Sequence, residues 1–245
     1  LSSALLAGGL LVLQVLPAAA QGAPPVPRFV EETKTSKLRH TYAGDWQYYV
    51  GGGVAAFDCN DDPVPELFFA GGSKPASLWI NRSSQGGQEL RFERLKSPIT
   101  DLDAVTGAYP VDIDSDGITD LAVLRVGESV LLRGLGDCTF ERANEAWGFD
   151  GGNGWTTAFA ATWEGDDALP TLALGSYVDI ATSNERIGNC GENRLYRPNA
   201  AGTGYDAPIV LTPGFCALSM LFSDWNRDGR RDLRVSNDRH YAPSG

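Results

Sequence analysis

From Val54 onward the chain alternates short apolar runs with polar, glycine-rich turns. Val54-Ala55-Ala56-Phe57 is followed by Leu67-Phe68-Phe69-Ala70, by Ser77-Leu78-Trp79-Ile80 and by Leu90 to Leu95. A second set runs Ala108 to Val111, Leu121 to Leu124, Ser129 to Leu132 and Cys138 to Arg142. A third comprises Thr156 to Ala161, Thr171 to Leu174 and Asn193 to Tyr196, and a fourth opens at Leu218 to Ser223, with strand-like Arg234-Val235-Ser236 beyond it. Short runs bounded by glycine turns, without a 3.6-residue period, predict strands and an all-β fold. Ahead of them Arg28 to Thr33 predicts a first strand, and Asp45 to Val50 leads into Gly51-Gly52-Gly53.

The turns between first and second strands begin at Asp58, Asp112, Trp163 and Asp224, about 50–60 residues apart. A four-strand unit of about 40–50 residues is the size of a propeller blade, and these run slightly longer. A simple sandwich would account for the strands but not for acidic turns at the same place in each set. The expected architecture is a β-propeller of four-stranded antiparallel blades over 28–245. Its blades fall at approximately 51–97, 105–145 and 153–212, with an incomplete one at 213–245: about three and a half blades.

The strongest turn reads Val111-Asp112-Ile113-Asp114-Ser115-Asp116-Gly117-Ile118-Thr119-Asp120-Leu121. Ca²⁺ takes six to eight oxygens from a tightly curled loop. Asp112, Asp114 and Asp116 supply side-chain oxygens in this reading, Ile118 its carbonyl, and Asp120 closes the shell, while Gly117 permits a positive φ. The pattern returns as Asp224, Asn226, Asp228, Arg230 (through its carbonyl) and Asp232. It returns more weakly as Asp58, Asn60, Asp62 and Glu66, where Pro63 replaces the glycine and, unable to take a positive φ, forces a different curl or an empty loop. Trp163-Glu164-Gly165-Asp166-Asp167 keeps only Asp167 in register, and that site is expected to have lost its metal. The competing reading is a solvated acidic turn, since Asp, Asn and Gly favour turns without any metal. Against it stands the repulsion among clustered carboxylates, which a cation relieves.

These turns and strands resemble FG-GAP or VCBS-type repeats, the blades of integrin-α-like propellers. The run from Phe29-Val30-Glu31-Glu32-Thr33 through Gly51-Gly52-Gly53-Val54-Ala55 to Asn193-Arg194-Leu195-Tyr196 is similar to bacterial members of the ASPIC/UnbV and cartilage-acidic-protein group. The resemblance implies a structural cation that staples first to second strands, and a ring of roughly seven blades of which this chain is a fragment. Blade geometry also bears on the cysteines. Cys59 and Cys138 fall on the calcium face, and Cys190 and Cys216 on the opposite one, so of three connectivities only Cys59–Cys138 with Cys190–Cys216 keeps each pair on one side. Four reduced, buried thiols are the alternative.

Composition adds a compartment and removes partners. Leu5 to Leu16 is apolar apart from small residues and Gln14, and Pro17 precedes Ala18-Ala19-Ala20. This reads as a signal peptide over 1–20 with cleavage near Gln21, followed by a Pro-rich linker over 21–27 and by secretion or export to the periplasm. Four cysteines then read as two disulfides. The 245 residues carry 20 Lys and Arg against 31 Asp and Glu, a net charge of −11. That balance disfavours nucleic acids and anionic membranes, and the only long apolar run is the leader, so no membrane insertion is expected.

Catalytic patterns are absent from the sequence. His40 and His240 are its only histidines, without zinc-ligand spacing, and there is no nucleophile elbow, P-loop or dinucleotide-binding glycine pattern. A paired-carboxylate glycosidase stays open, because such carboxylates meet in space rather than in sequence. The expected function is a secreted binding or scaffold module for a protein or glycan; a polysaccharide lyase or hydrolase is the alternative. Either places its site opposite the calcium turns, where Trp46, Tyr48, Tyr49, Trp147, Phe149 and Trp155 lead into the blades beside a long polar loop over 176–192. Aromatics there stack on a ligand, or, more ordinarily, plug gaps between blades.

Overall fold

The computed structural model describes residues 26, 28–84, 89–179 and 189–238. The expected leader, the 21–27 linker apart from Val26, part of the 176–192 loop, and His240 lie outside the described residues. The expected strand over Arg28 to Thr33 does not form. Residues 28–32 have no regular structure, and Thr33–Ser36 makes one helical turn (α1), stopped by Lys37 at φ 60°. Phe29 and Val30 stay exposed, so no core holds this segment extended.

The rest is antiparallel β-structure. β1 (Val54–Phe57), β2 (Glu66–Phe69), β3 (Ser77–Asn81) and β4 (Phe92–Leu95) pair in chain order. β5 (Val105–Val111), β6 (Asp120–Gly127), β7 (Val130–Gly134) and β8 (Phe140–Arg142) pair in the same order. So do β9 (Gly154–Thr162), β10 (Thr171–Ser176), β11 (Asn193–Tyr196) and β12 (Ile209–Leu211). β13 (Ala217–Ser223) and β14 (Asp232–Asn237) form a hairpin. β12 is additional to the predicted strands, its three residues being too short to announce themselves between Pro208 and Pro213. The second and third sets join where Val126 pairs with Trp155 and Gly127 with Gly154. Each set presents its first strand to the next, β1 packing against β5, β5 against β9 and β9 against β13.

The two-residue period of a strand explains how the sheets hold one another. Leu121 and Val123 of β6, with Val130 and Leu132 of β7, face a core shared with Ala55, Phe57, Phe68, Leu78 and Ile80 of the first sheet. The alternate residues Ala122, Leu124 and Leu131 face the other way, into a core shared with Phe159, Leu172, Leu174 and Tyr196 of the third. β10 divides likewise: Ala173 turns from Leu172 and Leu174 toward Ala158, Met220, Phe222 and Leu233. The middle strands are therefore apolar on both faces, which is why Leu121–Leu124 and Thr171–Leu174 read as unbroken hydrophobic runs.

Candidate metal and ligand sites

Three of the four first-to-second-strand turns share one hydrogen-bonding frame. At each, the carboxylate that opens the second strand accepts the N–H just past the start of the turn: Asp120 from Ile113 (2.7 Å), Asp232 from Trp225 (3.0 Å) and Glu66 from Cys59 (3.2 Å). At each, a mid-turn Asp accepts the N–H two residues on: Asp116 from Ile118, Asp228 from Arg230 and Asp62 from Val64. Ser115, Arg227 and Asp61, each three residues into its turn, all sit at φ near +60°. Gly117 and Gly229 take φ +86° and +85°. In those two turns the opening aspartate accepts two further amides, Asp112 those of Asp116 and Gly117, and Asp224 those of Asp228 and Gly229.

The Asp58 turn departs from this frame where Pro63 predicts it should. Pro63 stands in the place of Gly117 and Gly229 and has no N–H, so the bond to the second oxygen of the opening aspartate has no donor. Asp62 N–H donates to Asn60, and the Asn60 amide to Asp62, as Asp228 and Asn226 also do, but here the Asn60 amide reaches Glu66 as well. Glu66 also lies beside Cys59 and Cys138, but these are joined in a disulfide and offer no thiolate to a metal. In the third turn Thr171 takes the place of Asp120 and donates to Glu164 (2.7 Å), giving a different arrangement.

Asp112, Asp114 and Asp116 bring one carboxylate oxygen each within 4.8 Å of one another. Asp114 Oδ1 is buried without a hydrogen-bond partner among the described residues. Asp120 stands apart from that trio. It is fully buried, and its other oxygen accepts Gly134 N–H (2.7 Å), so it ties the turn to the end of β7. Burial pushes its carboxyl up to about 6, against the pull of those two amides, with Asp114 and Asp116 adding to the rise. Glu66 does the same work in the first sheet, accepting Asn81 N–H at the end of β3, and burial raises its pKa too.

Arg133, on β7, is the partner that sequence reasoning missed. Its Nε lies 2.7 Å from Asp114 Oδ2 and its terminal nitrogen 3.1 Å from Asp116 Oδ2. The guanidinium already offsets part of the repulsion in this cluster, and Asp114 chiefly raises its pKa. Nothing in the spacing of the turn announces it, because strand pairing brings Arg133 there from 17 residues beyond Asp116.

Disulfides join Cys59 to Cys138 and Cys190 to Cys216, the pairing expected from the placement of the turns. The first ties the Asp58 turn to the β7–β8 turn and is reinforced by Cys138 N–H to Cys59 C=O (2.8 Å). Such bonds are compatible with a secreted or periplasmic protein. No helix among the described residues is long and apolar enough to cross a membrane.

The candidate ligand aromatics divide by burial. Trp155 is 1% exposed and packs edge-on against both Trp46 and Tyr177, while Trp147 and Phe149 lie in the second core. Trp147 and Trp155 are thus packing residues whose faces are covered. Trp46 and Tyr48 are half-buried, and burial raises the Tyr48 phenol. Tyr49, 82% exposed, is the one that presents its ring to solvent. The same ends of β9 and β10, away from the 163–170 turn, hold a cavity of about 310 Å³. It is lined by Gly151–Gly154, Thr156, Leu174, Ser176, Asp179 and Cys190–Glu192, with Arg194. Arg194 donates to Asp150, which also accepts the Gly152 N–H and the Tyr196 hydroxyl.

A serine–histidine contact also exists. Ser77 Oγ lies 2.8 Å from His40 Nδ1, and the Trp79 indole N–H donates to the same hydroxyl. The Ala70 carbonyl 2.7 Å from Nε2 can only accept, so Nε2 donates to it, and in the neutral ring Nδ1 then accepts from Ser77. Ser77 is 2% exposed, so this chain fixes the 38–44 segment to the first sheet and offers no nucleophile. No family model matches the chain, and no curated protein matches it.

Proposed function

We propose that this chain is a secreted, calcium-stapled β-propeller of the FG-GAP/VCBS type that serves as a binding or scaffold module for a protein or glycan. The observation that carries the reading is the frame common to the Asp58, Asp112 and Asp224 turns, each on the first hairpin of its sheet. A frame that points several carboxylates inward costs repulsion, and a hard divalent cation with oxygen ligands relieves it. In this reading Asp112, Asp114 and Asp116 hold one Ca²⁺ and Asp224, Asn226 and Asp228 another, while Asp120 and Asp232 brace the loops. The cation supplies charge neutralisation and rigidity, not chemistry. The turns are then occupied, and ligand binding belongs to the opposite strand ends, around Tyr49 and the 310 Å³ cavity.

The test is thermal unfolding with and without calcium, together with calorimetric titration. Extracellular calcium modules bind at about 10⁻⁴–10⁻³ M, and tenfold excess over Kd adds about 1.4 kcal/mol per site, a rise of a few degrees in Tm. Asp116→Ala removes one site and that share of the rise. A Tm indifferent to calcium, or an Asp116→Ala protein with the full response, overturns the reading.

A further inference from the structure

We infer that the cavity at the strand ends of the third sheet binds a neutral saccharide, through Asn153, Glu192 and Arg194 at its rim and the hydroxyls of Thr156 and Ser176 at its floor. The inference rests on assigning ligand binding to the face opposite the acidic turns. At about 310 Å³ the cavity is at the small end of the roughly 300–1,000 Å³ typical of small-molecule sites. Its depth is made by glycine. A Cβ on Gly191 would collide with Ser176 Oγ, and one on Gly154 would come within 3.0 Å of it, so Ser176 reaches the floor only because both positions lack side chains.

The donors and acceptors are of the kinds that vicinal hydroxyls need, since each hydroxyl both gives and receives. Carboxylates accept only, a guanidinium donates only, and amides and hydroxyls do both. Glu192 supplies the first kind, Arg194 the second, and Asn153, Thr156 and Ser176 the third. Arg194 is held by Asp150 at 3.3 Å with its side chain 35% exposed, so it is a positioned donor whose charge is already offset. Among the described residues, Asp150 balances this guanidinium and Glu192 at the exposed rim leaves one carboxylate in excess. That excess selects against uronates, sulfated sugars and phosphates. Leu174 offers an apolar strip for the C–H face of a sugar ring.

The test uses the purified chain, with calorimetry and saturation-transfer NMR against maltotriose, cellotriose, mannotriose and chitotriose, beside trigalacturonate and spermidine. The expected result is binding of at least one neutral trisaccharide and none of trigalacturonate. Glu192→Ala and Asn153→Ala, both at exposed positions, each weaken that binding by about tenfold, the loss of one good hydrogen bond, without moving Tm. Failure of all four neutral sugars, a preference for trigalacturonate or spermidine, or binding that neither substitution weakens overturns the inference. The calcium dependence of Tm, read on the same sample, separates the outcomes. A calcium-stabilised protein that binds no neutral sugar overturns the saccharide site alone, whereas loss of the calcium response overturns the propeller reading.

Discussion

At the scale of single residues, the balance between Arg133 and a cation decides how the Asp112 turn behaves. Arg133 pairs with Asp114 and Asp116 while its own side chain is 38% exposed, so solvent screens the pairs and each contributes roughly 0.2–1 kcal/mol. A bound Ca²⁺ competes with the same oxygens. Arg133→Gln is therefore expected to lower Tm by a degree or two in EDTA and to tighten calcium binding, so that its calcium-induced rise in Tm exceeds the wild type's. A smaller rise than wild type would show that Arg133 aids the cation. Asp120 gives a pH dependence with a defined sign. Its folded pKa, about 6, lies above the unfolded value of about 3.9, so the folded chain binds the proton more tightly. In EDTA its contribution is full below about pH 4 and is lost as pH rises through 6. Comparing Tm with Asp120→Asn between pH 4 and 7 checks this: the wild type should lose stability relative to the variant as pH rises. The acidic spacing was legible in the sequence; Arg133, and the bracing role of Asp120 toward Gly134, were not, because both depend on β7 lying beside β6.

At the scale of the hairpin, Pro63 is the clearest departure from the common frame. Its ring removes the amide that Gly117 and Gly229 donate to the opening aspartate, and it forbids their positive φ. Pro63→Gly restores both capacities at the cost of a floppier unfolded chain, about 1 kcal/mol. The expected outcome is a lower Tm in EDTA and one additional calcium in a calorimetric titration; an unchanged stoichiometry would mean that the bond from the Asn60 amide to Glu66, which Asn226 does not make to Asp232, blocks the site. The strands around such turns were legible from apolar runs because both faces of the middle strands are buried. Two elements were not. The Arg28 to Thr33 run carries strand-favouring Phe29 and Val30, yet no core covers them. β12 is too short for alternation to register, and its pairing with β11 makes it a strand. Trp147 and Trp155 show the same limit for ligand sites, since sequence alone does not say which face of an aromatic a neighbouring sheet will cover.

At the scale of the whole molecule, the sheets are held by shared cores and by two covalent ties of different reach. The three cores between successive sheets draw on both faces of β6, β7 and β10, so loosening one sheet exposes apolar surface on its neighbour. Cys59–Cys138 spans 79 residues and links the first-sheet turn to the second sheet, whereas Cys190–Cys216 spans 26 and links the cavity rim to the start of β13. Loop-closure entropy assigns about 4.5 kcal/mol to the longer tie and about 3.5 kcal/mol to the shorter. Thermodynamic cost and functional cost should therefore separate. Cys59→Ala with Cys138→Ala is expected to lower stability by the larger amount in denaturant unfolding while leaving ligand binding at the far strand ends intact. Cys190→Ala with Cys216→Ala is expected to cost somewhat less stability but to weaken binding, because the Gly191–Glu192 rim loses its anchor. Equal effects of the two pairs on binding would mean that the cavity is shaped by the sheets alone and that the shorter disulfide does not position its rim.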